Sequence, residues 1–269
     1  MIVERFKHPL RFYFLATLFP WTFWFIAAFF SHSEAAGSSL LQTVFALAGL
    51  LAPNFIAFVM IYQDKKLLSD LLGRIFNFKE IKLRYWFITF FLMLMSILLA
   101  QAISVFFGYS IDQFQIAKSF SFTSGVFPVW FLLIAAPTLE ELAWHSYGTD
   151  SLRARFNLFT ASVLFALYWG IWHMPLSFIK DYYHSNLVET GALYSLNFLF
   201  SLIPFVLIMN WLYYKTNRNI LITIIFHVTA GYFNEIFCTH PMSKVIQTGL
   251  LLLFSAYTMI KDKKFFFAK

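Results

Sequence analysis

The stretch Leu40–Tyr62, LLQTVFALAGLLAPNFIAFVMIY, runs for 23 residues without an aspartate, glutamate, lysine, arginine or histidine. As a helix rising about 1.5 Å per residue, it is long enough to cross the roughly 30 Å hydrocarbon core of a bilayer. Lipid offers open backbone groups no hydrogen-bond partner, so a stretch of this kind must be helical. Seven more stretches read the same way: Phe12–Phe30, Tyr85–Phe107, Val126–Tyr147, Leu158–Ile179, Leu193–Tyr214, Ile220–Cys238 and Met242–Ile260. The alternation of a membrane-barrel strand is absent. Charged residues make up 12% of the 269 positions and apolar ones 60%. A soluble domain carries about a quarter charged residues, so water alone cannot solvate this chain. The expected fold is an all-α integral membrane protein of about eight transmembrane helices. No internal repeat or glycine- and serine-rich linker divides it, so residues 1–269 read as one polytopic domain.

Charge orients the bundle. With the N-terminus inside, the inner segments hold 17 of the 20 lysines and arginines, leaving Lys118, Lys180 and Lys244 outside. Cytoplasmic loops carry such an excess, which predicts both termini in the cytoplasm and a multi-pass protein of the cell membrane. A nucleic-acid reader would gather its cations on one water-facing surface; the +7 net charge is instead spread over short loops between apolar stretches. Arg5, Lys7 and Arg11 precede the first apolar run. That run exceeds the 7–15 apolar residues or so of a signal peptide, so a retained first span is expected. Leu67, Leu68, Leu71, Leu72 and Ile75 recur at helical spacing within Gln63–Arg84, as in a short helix lying on the inner membrane face. The single cysteine, Cys238, excludes an internal disulfide and a cysteine-based zinc site.

Ionisable side chains are costly at the bilayer centre, so they face a protein interior or a wet cavity. Most acidic residues fall in loops or at span ends; Glu140 and Glu141 do not. His8, His32, His184 and His240 fall in loops or termini, whereas His145, His173 and His227 fall within spans. His145 follows Glu141 by four residues on the same helical face, so the two can pair. Glu140 projects about 100° away, and Pro137 permits a kink one turn earlier. Trp169 and His173 share a face of the fifth span; His227, Gly231 and Asn234 form a stripe on the seventh. Taken singly, each also fits an ordinary packing contact. Counting about 1.5 Å per residue from the basic side places Glu140, His173 and Asn234 at roughly 20–24 Å and His227 at roughly 12 Å.

In these residues the chain resembles the CPBP or Abi family of intramembrane proteases, which includes the type II CAAX prenyl endopeptidases. That family carries EExxxR, then FxxxH, then a histidine with asparagine four residues on. Here the first reads Glu140-Glu141-Leu142-Ala143-Trp144-His145, with histidine in the arginine's place. The second reads Trp169-Gly170-Ile171-Trp172-His173, with tryptophan for phenylalanine. The third has His227, with Gly231 four residues on and Asn234 one turn later. The match covers residues 126–238, which the resemblance makes the catalytic core.

The resemblance implies an endopeptidase acting on a membrane-associated peptide or lipidated, CAAX-like protein amid membrane lipid. Glu140 would activate a water held by His173, because a glutamate withdrawn from water is basic enough to take its proton near neutral pH. Glu141 would be fixed by His145, and His227 and Asn234 would stabilise the oxyanion. Glu140, His173 and His227 form an alternative zinc set, but the HExxH helix of zinc proteases is missing and a metal-free site with no cofactor is expected. The rival readings are a bacteriocin-immunity factor that acts by binding alone, and a transporter, which would commonly show internal repeats.

Overall fold

The uncharged stretch quoted above becomes one unbroken helix, α2 (Ser38–Tyr62), paired along its length with α1 (Pro9–Ser31). Gly49 allows their close approach: a Cβ there would lie 2.3 Å from Nε1 of Trp24, which donates across to the carbonyl of Ala46. The computed structural model describes residues 2–75, 81–123 and 126–268. It is 81% helical, and the described residues form no strand beyond an isolated bridge between Ile116 and Phe237. Large apolar side chains stand exposed along the outer faces, Phe14 at 65%, Phe55 at 71% and Phe106 at 90% among them. Apolar surface on this scale is a lipid-facing surface. The chain is a multi-pass membrane protein.

Among the described residues, five helices are each long and apolar enough to cross a bilayer: α1, α2, α4 (Leu83–Phe106), α9 (Ala192–Lys215) and α11 (Pro241–Lys261). The three expected spans that carry polar residues are shorter or interrupted. The first is α5 (Val129–Ala143), which passes through a π turn at Trp144–Gly148 into α6 (Thr149–Arg153). The second, α7 (Leu158–Trp172), runs through a 3-10 turn at Met174–Phe178, then bends by 89° into α8 (Tyr183–Thr190). Counted as one broken span, that pair is the sixth helix able to cross. The third, α10 (Ile220–Glu235), is apolar but only 16 residues long. Pro175 in the 3-10 turn has no backbone donor to continue α7, and the π turn sits directly behind the glutamate pair, a frequent position for such turns near functional sites.

The ends of these helices define two faces. On one lie the N-terminal segment, α3 (Lys65–Ile75), the ends of α6 and α9 with the connections that follow them, and α12 (Lys263–Phe267). They are tied by Arg5 to Asp64, Arg155 to the carbonyl of Lys7, Arg153 to that of Ala268, and Lys215 to Asp262. On the other lie the segments before α5, around α8 and between α10 and α11, joined by Thr123 to Asp181, Ala117 to Ile236 and Cys238 to Gln115. The expected surface helix in Gln63–Arg84 is α3; residues 76–80 of that stretch lie outside the described residues. Near the middle of the bundle, α5, α7, α9 and α10 surround a cavity of about 480 Å³ whose remaining wall is made by α4, α8 and α11.

Candidate active site

Glu140 lies on the cavity wall just before the π turn, and its Oε2 accepts a 2.9 Å hydrogen bond from Nε1 of Trp169 on α7. One turn on, His173 ends α7. Its Nδ1 lies 2.7 Å from the Trp169 carbonyl, an acceptor only, so Nδ1 carries the hydrogen and Nε2 is left with a lone pair. That Nε2 is 3.8 Å from Glu140 Oε2, too far for a direct hydrogen bond and suited to a bridging water. His227 on α10 meets the edge of Trp169, with ring centroids 5.1 Å apart. Glu140, His173, His227 and Asn234 thus line the same cavity.

Glu141 points away from the cavity and is fully buried, as the 100° step between neighbouring helical residues requires. Its Oε1 accepts from Nδ1 of His227 at 2.8 Å, and its Oε2 meets Nδ1 of His145. The expected pairing of Glu141 with His145 is present, and the same carboxylate also holds His227. Asn234 lies further along α10, nearer the mouth, and donates to the hydroxyl of Tyr183 at 3.3 Å. Seven residues separate it from His227, roughly 10 Å along the axis, so the two do not meet at one point.

Several groups at the site were not found by sequence reasoning. His184, assigned to a loop, lies on α8 and stacks on His173 with centroids 5.0 Å apart; neither of its ring nitrogens has a hydrogen-bond partner. Asn210 on α9 sits behind the site with its Oδ1 2.9 Å from Nε2 of His145. An amide near the end of an apolar run was the signal for Asn210. For His184 no signal existed, because the fold of the short α8 back over the cavity depends on the 89° bend.

Over the whole chain the protein is 37% identical to "CAAX prenyl protease 2" of Methanococcus maripaludis, the alignment covering 100% of this chain and 99% of that protein. The chain belongs to the type II CAAX prenyl endopeptidase family. The family model, described as Rce1-like, matches residues 122–233, a segment that holds Glu140, Glu141, His145, His173 and His227. The protein is accordingly a membrane-embedded peptidase. Within the family's three motifs, the tryptophan in the phenylalanine's place is the residue that donates to Glu140, and the histidine in the arginine's place is the one that meets Glu141.

The alternative zinc set draws on Glu140, His173 and His227. Among the described residues, no group of three or more histidine, cysteine, aspartate or glutamate side chains is placed to hold a metal ion. One nitrogen of His173 is committed to a carbonyl and one of His227 to Glu141. Both contacts use Nδ1 and leave Nε2 of each ring toward the cavity; no step below is routed through a metal.

Proposed function

We propose that the protein is an intramembrane endopeptidase that cuts a membrane-associated, CAAX-like substrate with a water activated by Glu140. The observation that carries the reading is the 3.8 Å gap between Glu140 Oε2 and His173 Nε2 on a cavity wall shared with His227. A water between them gives one hydrogen to the carboxylate and the other to the lone pair of His173. As its oxygen attacks the scissile carbonyl carbon, the proton passes to Glu140. His227, backed at Nδ1 by Glu141, has Nε2 left for the cavity, where that nitrogen, when protonated, donates to the developing oxyanion. Glu140 then returns the proton to the leaving amine as the C–N bond breaks, which completes the hydrolysis. Asn234 and Tyr183, closer to the mouth, bind the peptide chain rather than the oxyanion.

Proximity of the relative's name to this chain supports a CAAX-type substrate: the name "CAAX prenyl protease 2" belongs to a protein matched from end to end. A lipid-bounded enzyme is also suited to a substrate anchored in the same lipid. The test is hydrolysis of a prenylated CAAX peptide by the purified protein. Glu140→Gln should lower kcat by about 10²–10⁴-fold, the range for a general base, and leave the unfolding midpoint near that of the wild type. Retention of full cell function by Glu140→Gln would instead mark a protein that acts by binding alone. Turnover should also survive thorough chelation; complete loss that zinc restores would overturn the metal-free mechanism.

A further inference from the structure

His145 occupies the position where the family motif has arginine, and it is fully buried with both ring nitrogens against other side chains. Where its hydrogens lie is decided by a chain of contacts that begins on α7. Ser162 Oγ donates to the carbonyl of Leu158 at 2.8 Å, so toward Asn210 it can only accept. Asn210 Nδ2 supplies that bond at 2.9 Å. The amide is thereby oriented, and its Oδ1 faces Nε2 of His145 at 2.9 Å. An amide oxygen cannot donate, so Nε2 carries a hydrogen. On the opposite side of the ring, Nδ1 meets Oε2 of Glu141, whose other oxygen holds His227. Arg74 and Tyr213 both bond the backbone carbonyl of His145 and not its ring, so Asn210 is the partner that reaches Nε2.

We propose that Asn210 is a positioning residue for the hydrolysis: by accepting from Nε2 it keeps His145 turned as a two-sided donor, which pins Glu141 and, through it, His227. The chain Ser162–Asn210–His145–Glu141–His227 joins α7, α9, α5 and α10 in one line ending at the cavity. An acceptor at position 210 is therefore what lets a histidine stand where the motif has an arginine, whose donors need no neighbour to set their protonation. Asn210 touches neither substrate nor the reacting atoms, and its effect passes entirely through the imidazole. The proposal rests on the peptidase reading above.

The test compares three variants of the full-length protein in detergent, assayed on the same prenylated peptide. Asn210→Leu removes the acceptor and should lower kcat about tenfold or more with little change in KM, the loss expected for one hydrogen bond to a charged group. Asn210→Asp keeps an oxygen acceptor and should stay within a few-fold of the wild type. Adding His145→Arg to Asn210→Leu should restore most of the lost kcat, which a merely structural role for Asn210 would not do. Unchanged kcat in Asn210→Leu, or a loss that His145→Arg leaves in place, overturns the proposal. Should Asn210→Leu fail to fold, a folded Asn210→Asp decides alone, and low kcat in it counts against the acceptor. Failure of the peptidase reading looks different: the wild type would then show no hydrolysis that depends on Glu140.

Discussion

Trp169 touches Glu140, His173 and His227, the three side chains that meet the reacting atoms in the proposed mechanism. Its Nε1 donates to Glu140, its carbonyl orients His173, and its ring meets His227. The indole is also fully buried among Phe165 and Phe205, which stack on it. Its role therefore divides into a packing part, which any large ring supplies, and a donor part, which only the N–H supplies. Trp169→Phe separates them. The donor to Glu140 is lost while a ring remains to space the two histidines. A hydrogen bond to a charged group contributes about 1.5–3 kcal/mol, so kcat should fall about ten- to a hundredfold. Stopped assays of kcat beside a thermal melt in detergent would check it; a normal kcat in a folded protein would mean that Glu140 needs no donor from this side.

At the scale of the element, the clasp between α3 and the first turn of α6 holds the glutamate-bearing span in place. Asp150 is fully buried and is met by Arg74 at 3.1 Å and Arg218 at 2.5 Å, while Asp70 of α3 lies 2.8 Å from both arginines and accepts hydrogen bonds from Arg218. Arg74 also donates to the carbonyls of His145 and Ser146, two groups of the π turn behind the glutamates. Removing one partner from a buried ion network leaves the other charge uncompensated, which costs about 3–5 kcal/mol. Arg74→Ala should accordingly lower the stability read from denaturant unfolding in detergent by about that amount, and an unchanged midpoint would show that α3 is only a surface attachment. Sequence reasoning found α3 from its leucine spacing but not this clasp, because Arg74 and Asp150 look like ordinary loop charges until the chain is folded. The pairing of Glu141 with His145 was legible because four residues on one helix fix it. The meeting of His227 with Trp169 was not, since counting residues from the basic face placed His227 too shallow; the count assumes upright helices of constant rise, and the path from Arg153 to Glu140 passes through the π turn.

Across the whole molecule, the cavity and the charge lie on opposite sides. The residues nearest its mouth, Ser121, Tyr183, Asn186, Thr239 and Lys244 among them, belong to the face whose segments carry Lys118, Lys180 and Lys244. If charge sets orientation as it does in most multi-pass proteins, the basic face with both termini is cytoplasmic and the cavity opens on the other side. The substrate proposed above is anchored in the membrane, so the orientation decides which of its segments reach Glu140 from water and which must arrive through the lipid. The exposed Cys238, the sole cysteine, sits on the cavity-mouth face and serves as a native reporter. A membrane-impermeant maleimide applied to intact cells should label Cys238. In a second protein carrying Cys238→Ala and Lys264→Cys, labelling should wait until the membrane is permeabilised. The reverse pattern would place the mouth in the cytoplasm, against the charge rule.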